Sequence, residues 1–158
     1  MHDPKLDLVL ERILDVPPET VWRAWTEPRL LEKWFCPRPW MAAECEIDLR
    51  PGGTFHTVLQ GPDGTTLDNP GCYLEVVPNR RLVFTTALGP GYRPQDHYIP
   101  FTAIITLEPK GKGTRYHVLA RHKDEATAKQ HVEMGFHAGW STALDQPVEM
   151  ANTGSRAR

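Results

Sequence analysis

Histidine is the residue type in this 158-residue sequence best suited to metal or acid–base chemistry, and it occurs seven times. His131-Val132-Glu133 has the H-x-E spacing of zinc deaminases, but the Pro-Cys-x-x-Cys segment of that motif does not follow. Glu133 and His137 are four residues apart and share one helix face, which supplies two ligands where zinc needs three or four. The sequence therefore predicts neither a metal site nor a cofactor.

Motifs for nucleophilic catalysis and phosphate binding are also missing. The sequence has no G-x-S-x-G and no H-E-x-x-H, and Gly111-Lys112-Gly113 lies between two predicted strands, where it is typical of a hairpin turn. The three cysteines, Cys36, Cys45 and Cys72, match no zinc or redox spacing and are interpreted as free, buried or half-buried thiols. The motifs indicate no particular reaction, and they leave open whether the protein is an enzyme.

The charge is nearly balanced, with a formal net value of −2 and both signs mixed along the chain. This pattern gives no argument for binding nucleic acid or an anionic membrane. No run approaches the roughly 20 apolar residues of a membrane span, and the N-terminus lacks the basic and apolar segments of a secretory signal. We therefore expect a cytoplasmic protein; the sequence does not indicate its oligomeric state.

The elements that must position any site follow from hydrophobic periodicity and turn residues. Residues 6–14 alternate as a first strand, and Pro17-Pro18 precedes two short helices separated at Pro28. Six further strands are predicted at residues 41–48, 54–60, 67–77, 82–87, 101–107 and 114–121. The glycine, proline and asparagine residues between most of them favour hairpin turns, which predicts an antiparallel sheet.

The last predicted element is a long helix over residues 125–146. Asp124 is a good N-cap, because its carboxylate can accept hydrogen bonds from the first turn. Apolar residues then recur every four positions and form one stripe, at Val132, Phe136, Trp140 and Leu144. A helix of this length measures about 33 Å and needs a broad surface to cover the stripe.

The order of these elements predicts an α+β fold, in which a curved antiparallel sheet wraps around the C-terminal helix. Alternation assigns two apolar sets to the face toward the helix: Phe101, Ala103, Ile105 and Leu107, and Tyr116, Val118 and Ala120. We expect one domain over residues 1–150 and a flexible tail over residues 151–158.

Two segments after the first strand resemble a known family. Residues 21–28 (VWRAWTEP) and 31–35 (LEKWF) are similar to the opening signature of the START-like, or SRPBCC, superfamily, and more narrowly to homologues of the activator of the heat-shock protein 90 ATPase. Further matching segments are 49–55 (LRPGGTF), 71–78 (GCYLEVVP), 80–85 (RRLVFT) and Gly139-Trp140 with Leu144. The resemblance covers about residues 6 to 146. It implies a helix-grip fold with a cavity between the sheet and the long helix.

The implied cavity gives a set of candidate ligand-binding residues: Phe55, Tyr73, Glu75, Phe101, Tyr116, Met134, His137, Trp140 and Ser141. For each aromatic residue, plain core packing is the competing interpretation, because large aromatic side chains usually fill cores. His137, Tyr73 and Glu75 are of special interest, since a few polar groups in an apolar pocket fix a ligand's orientation. Glu75 equally fits a solvated strand edge.

One predicted connection, residues 88–100, is too long and too rich in proline for a simple hairpin turn. Long loops of this kind often form lids, and four of its residues are candidates for that role: Tyr92, Asp96, His97 and Tyr98. His97 could titrate near neutral pH, although an exposed loop histidine is the simpler interpretation.

Three functions are consistent with the sequence and the resemblance. The first is a binding protein that takes a small apolar, aromatic or lipid-like molecule in the cavity. The second is an enzyme similar to polyketide cyclases and aromatases, in which polar groups in the cavity do acid–base work. The third is a protein-binding module that interacts with a chaperone, as the resemblance to the ATPase activator implies.

Overall fold

The computed structural model describes residues 3–35, 39–134, 136–137, 140–141 and 143–145. Its strands are β1 (Asp7–Leu14), β2 (Met41–Ile47), β3 (Phe55–Gln60), β4 (Thr66–Asn69), β5 (Cys72–Val77), β6 (Arg81–Thr85), β7 (Leu88–Gly89), β8 (Arg93–Pro94), β9 (Thr102–Lys110) and β10 (Gly113–Arg121). Its helices are α1 (Pro18–Thr26), α2 (Pro28–Trp34) and α3 (Glu125–Glu133), and a 3₁₀ turn spans Pro90–Tyr92. The predicted α+β order is confirmed. No helix in this part of the chain is long and apolar enough to cross a membrane.

Two antiparallel sheets meet along a seam between β3 and β5. One sheet has the order β1-β10-β9-β6-β5, and the other has the order β2-β3-β4. At the seam, the Phe55 amide donates to the Gly71 carbonyl and the Tyr73 amide donates to the Gly53 carbonyl, both at 3.0 Å. The two sheets therefore form one curved wall, which agrees with the predicted wrapping sheet.

The strand predicted over residues 67–77 is wrong as a single strand, since it divides into β4 and β5. Pro70 has no amide to continue the ladder of hydrogen bonds. The backbone also approaches closely at Gly71, where an added Cβ would lie 2.9 Å from the Phe55 carbonyl oxygen and 3.0 Å from that of Thr85. The chain leaves the smaller sheet and enters the larger one at these two residues.

The core fills the concave side of the larger sheet. The predicted inward sets are confirmed, because Ala103, Ile105 and Leu107 of β9 are buried, as are the matching residues of β10. The two short helices contribute tryptophans: the rings of Trp25 and Trp34 meet edge to face at 5.0 Å. The Trp34 indole N–H donates to the Ala24 carbonyl at 2.9 Å, which fixes α2 against α1.

The C-terminal helical segment departs from the predicted long stripe. Asp124 caps α3 as predicted, since its carboxylate accepts from the Thr127 amide at 2.8 Å. However, α3 ends at Glu133 and Met134 lies in a turn, after which residues 136–137, 140–141 and 143–145 are again helical. Residues on either side of this turn do not share one face. Val132 is accordingly 45% exposed while the side chains of Phe136 and Leu144 are buried. The predicted helix end at residue 146 and the tail lie outside the described residues.

Candidate functional site

A pocket of about 150 Å³ lies where the two sheets and the C-terminal helical segment meet. It is lined by Phe35, Phe55, Thr57, Leu59, Asn69, Phe84, Thr86, Tyr98, Phe101 and Trp140. Phe55, Thr57, Phe84 and Thr86 are buried and form its floor. Tyr98 is 41% exposed, which marks the mouth of the pocket at the loop after β8.

Strand alternation explains which residues of β3 enter the pocket. Phe55, Thr57 and Leu59 are two positions apart and point to the same side of the smaller sheet. The neighbouring strands contribute Asn69 from the end of β4 and Phe84 from β6. Half of the lining residues therefore lie on regular strands, which hold side chains more rigidly than loops do.

Aromatic rings form most of the wall. Phe55 contacts Phe84 with ring centroids 4.6 Å apart, and Phe84 contacts Phe101 at 6.1 Å, both edge to face. Trp140 closes the side opposite the sheet, and its indole N–H donates to the Tyr116 hydroxyl at 3.0 Å. That bond gives Trp140 a fixed orientation, which leaves the ring face for apolar contacts.

A row of polar side chains crosses the inner face of the smaller sheet. Cys45 of β2 lies directly opposite Thr57 of β3, and Thr57 lies directly opposite Asn69 of β4. Opposed residues in an antiparallel pair have Cβ atoms about 5 Å apart. Burial, with a smaller effect of Glu32, raises the pKa of the Cys45 thiol to about 12. Cys45 is therefore a neutral thiol at physiological pH and is not an activated nucleophile.

The mouth of the pocket is held by a hydrogen-bonded cluster around Asn69. Its side-chain oxygen accepts from the Tyr98 hydroxyl at 2.5 Å and from His97 Nε2 at 2.9 Å. The Ile99 amide donates to His97 Nδ1 at 3.0 Å. The Ile99 carbonyl oxygen also lies 2.9 Å from His97 Nδ1 and would accept a bond from the charged ring, but burial outweighs this contact and lowers the pKa of His97.

Several of the predicted cavity and lid residues are brought together here. Phe55, Phe101 and Trp140 line the pocket, and Tyr98 lines its mouth beside His97. Two more, Tyr73 and Tyr116, are fully buried in the adjoining core, and burial raises the pKa of both phenols. The Tyr73 hydroxyl has no hydrogen-bond partner in the described part of the chain.

The structure places the other predicted cavity residues away from this pocket. Glu75 is re-aimed by a bulge between Tyr73 and Glu75, and it pairs with Arg81 at 2.8 Å. Met134 is 54% exposed because it sits in the turn that ends α3. His137 is exposed next to Phe136.

Ser141 and two lid candidates also lie elsewhere. The Ser141 carbonyl accepts from the Arg12 guanidinium at 2.7 Å, so this residue fastens the helical segment to β1. Tyr92 is 50% exposed, and its ring lies over Gly52. Asp96 is exposed. Within the predicted connection over residues 88–100, β7 and β8 pair as a short hairpin.

Sequence reasoning missed half-buried or buried members of the lining: Phe35, Thr57, Leu59, Asn69, Phe84 and Thr86. The alternation of Phe55, Thr57 and Leu59 on one strand was a usable signal. Asn69 could not be found that way, because its place depends on the register of β3 against β4.

A pair of histidines supports the pocket from behind Phe101. His122 Nδ1 donates to the Leu6 carbonyl and its Nε2 accepts from His131 Nδ1, each at 2.8 Å. The His131 ring lies 4.7 Å from that of Phe101. Burial, followed by the nearby histidines His122, His137 and His97, lowers the pKa of His131 to about 4. Within the described residues, no three potential ligands come together to hold a metal ion.

The curved antiparallel sheet, the C-terminal helical segment packed on it and the pocket between them define a helix-grip domain of the START-like class. A family model described as activator of Hsp90 ATPase homolog 1-like protein matches residues 15–151. The chain belongs to this family, as the resemblance in its opening helices implied.

Solved structures of bacterial proteins are similar to this chain over most of their length. A crystal structure of a Nitrosomonas europaea protein is 47% identical, with a TM-score of 0.93, and the match covers 98% of this chain and 99% of that one. A Mycobacterium smegmatis protein is 25% identical with a TM-score of 0.77, covering 95% and 93%. A solution structure from Arthrobacter aurescens is 25% identical with a TM-score of 0.80, covering 94% and 87%. No curated protein matches the chain.

Proposed function

We propose that this protein binds a small apolar or aromatic molecule in the pocket between its sheets and its C-terminal helical segment. The observation that carries the proposal is the pocket itself: about 150 Å³, walled by the rings of Phe35, Phe55, Phe84, Phe101 and Trp140. An apolar cavity of about this volume can hold a ligand the size of benzene. Typical pockets for larger ligands measure roughly 300–1,000 Å³. The enclosed part therefore suits a single ring, and a longer ligand would extend past Tyr98.

The lining also bears on the enzyme hypothesis. Among the described residues that line the pocket, none carries a carboxylate, an amine, a thiol or an imidazole. General acid–base catalysis needs such a group, or a phenol, within hydrogen-bond reach of the substrate, and the lining phenol of Tyr98 already donates to Asn69 at 2.5 Å. His97 lies beside the mouth, but both of its ring nitrogens are engaged by Asn69 and Ile99. These observations favour binding over a cyclase-like reaction.

The chaperone hypothesis draws its support from the family, whose description names an activator of the Hsp90 ATPase. An ATPase assay with the chaperone from the same organism tests it directly. If this protein raises the ATPase rate of the chaperone, and a variant with a filled pocket raises it equally, the protein-binding function is independent of the small molecule. Absence of stimulation at saturating protein would remove this hypothesis.

Native mass spectrometry of protein purified from its own host tests the binding proposal. We expect an added mass that disappears when the protein is denatured. Leu59→Trp should fill the pocket, because Leu59 lines it from the half-buried end of β3. Ile13→Trp is the matched control, since Ile13 is 53% exposed on the outer face of β1.

The expected result is loss of the added mass in Leu59→Trp and its retention in Ile13→Trp. Retention in both variants would contradict binding in this pocket. A clean unliganded mass in the parent protein, together with no binding of any added aromatic compound, would contradict the proposed function altogether.

A further inference from the structure

We propose that the pocket selects an uncharged single aromatic ring that carries a hydroxyl group, and that this hydroxyl hydrogen-bonds to Thr57. The inference rests on the proposed function, because it concerns the same pocket and names its ligand class. It depends on Thr57, a lining residue whose hydroxyl makes no hydrogen bond within the described residues.

Thr57 lines the pocket and is only 2% exposed. Its side chain points inward with Phe55, two positions earlier on β3. In the described part of the chain, the Thr57 hydroxyl has no hydrogen-bond partner. Within the described residues, the fully enclosed side-chain atoms without a partner are Trp25 Nε1 and the Tyr73 hydroxyl, so the Thr57 oxygen is open to the pocket, where a ligand can take the place of water. Thr57 is therefore a free donor and acceptor that faces the cavity.

The other buried threonines show that this is unusual for the protein. Thr85, Thr86, Thr114 and Thr127 are also buried, and each donates its hydroxyl to an oxygen within 3.0 Å. Thr86 lines the same pocket, donates to the Ile99 carbonyl and accepts from the Phe101 amide at 3.1 Å. Its bonding capacity is used within the protein, whereas that of Thr57 is left for a ligand.

The neighbours of Thr57 define what kind of polar group fits. Asn69, directly across on β4, uses its oxygen for Tyr98 and His97, and one amide hydrogen points to the Leu67 carbonyl at 3.3 Å. Its second amide hydrogen is left as a donor. Thr57 and Asn69 together can give a hydrogen bond and receive one, which matches a ligand hydroxyl.

Charge complementarity excludes ionised ligands. No described lining residue carries a charge, and the adjacent Cys45 thiol is neutral because burial raises its pKa to about 12. A carboxylate or an ammonium group would enter without a counter-ion, and burying an unpaired ion is strongly unfavourable. The ring itself is selected by the walls, since the edge-to-face contacts of Phe55, Phe84 and Phe101 suit a further aromatic partner.

The test is a titration of ¹⁵N-labelled protein with phenol, toluene and benzoate, followed by amide chemical shifts. In the parent protein we expect saturable binding of phenol and toluene at β3 and β4, and no saturable binding of benzoate. Thr57→Val keeps the branched shape and removes the hydroxyl. It should weaken phenol binding about tenfold, the value of one hydrogen bond, and leave toluene binding unchanged.

Two further variants separate the hydroxyl from general damage to the site. Thr57→Ser retains the hydroxyl and should retain the ratio of phenol to toluene affinity. Thr106→Val is a control on the outer face of β9 and should change neither affinity. The inference is overturned if Thr57→Val binds phenol as well as the parent protein does, or if benzoate binds as tightly as phenol. In both cases the pocket would still bind small molecules. If neither phenol nor toluene binds, and the purified protein carries no added mass, the proposed function is overturned instead.

Discussion

At the scale of the residue, two threonines that are little exposed, Thr114 and Thr57, differ in the hydrogen bonding of their hydroxyl groups. Thr114 is fully buried and donates to the Val16 carbonyl at 2.7 Å, which ties the start of β10 to the connection before α1. Thr57 lines the pocket, and its hydroxyl makes no such bond to any described residue. The same substitution should therefore have different effects at the two positions.

We predict that Thr114→Val lowers the free energy of unfolding by about 1–3 kcal/mol, since it leaves a buried carbonyl without a donor. Thr57→Val should leave stability unchanged or raise it by up to about 1 kcal/mol, because it removes a polar atom that has no partner. Denaturant unfolding of both variants measures the difference. Equal destabilisation by the two substitutions would show that Thr57 makes a structural hydrogen bond after all.

A second residue-scale prediction concerns pH. The pKa of His131 is about 4 in the folded protein, below the ordinary value of 6.5, mainly because the ring is buried and secondarily because of His122, His137 and His97. Between these two values the unfolded chain binds more protons than the folded one, so stability falls as the pH falls through this window. The full shift corresponds to a loss of up to about 3 kcal/mol between pH 6.5 and pH 4.

His131→Gln should remove most of that dependence. The measurement is the free energy of unfolding of parent and variant at several pH values from 7 to 4. We expect the parent curve to fall more steeply than the variant curve over this range. Parallel curves would mean that His131 does not stay neutral in the folded protein.

At the scale of the element, the seam between β3 and β5 determines the shape of the site. The chain crosses from the smaller to the larger sheet at Pro70-Gly71, and this crossing places Phe55 of one sheet against Phe84 of the other. An added Cβ at Gly71 would collide with two backbone carbonyl oxygens, at 2.9 and 3.0 Å. Neither oxygen belongs to a flexible side chain, so the seam itself would have to shift.

Gly71→Ala should destabilise the protein by about 1–3 kcal/mol, the usual effect of overpacking a tight site. Gly61→Ala is a suitable comparison, because its added Cβ would first meet the Trp40 ring at 3.0 Å, which can move aside. Thermal unfolding of the two variants tests the difference. A Gly71→Ala protein as stable as the Gly61→Ala protein would show that the seam is more compliant than its geometry indicates.

At the scale of the whole molecule, the fold was predictable because its signals are local. Periodicity, turn residues and the Asp124 cap predicted the order of elements, and the resemblance of the first helices predicted the helix-grip class, which the family match confirms. The errors came where tertiary geometry competes with local pattern. Pro70 and Gly71 divided a predicted strand, and the turn at Met134 interrupted a predicted helix.

The site was less predictable than the fold for a physical reason. Aromatic walls such as Phe55, Phe101 and Trp140 follow from alternation and the family's cavity. Glu75 does not line the pocket because a bulge turns its side chain outward, and bulges leave little trace in one sequence. Thr57 and Asn69 become a pair only through the register of two strands, which no local pattern specifies.

The most direct test of the central claim is a crystal structure of the protein grown with phenol and compared with one grown without it. We expect electron density for a ring among Phe55, Phe84 and Phe101, with its oxygen within hydrogen-bond distance of Thr57 Oγ1. We also expect the two sheets to keep their relative position, because the seam is already formed. A pocket that contains only water in the presence of phenol, or that is closed by Trp140, would contradict the claim that this cavity is a binding site.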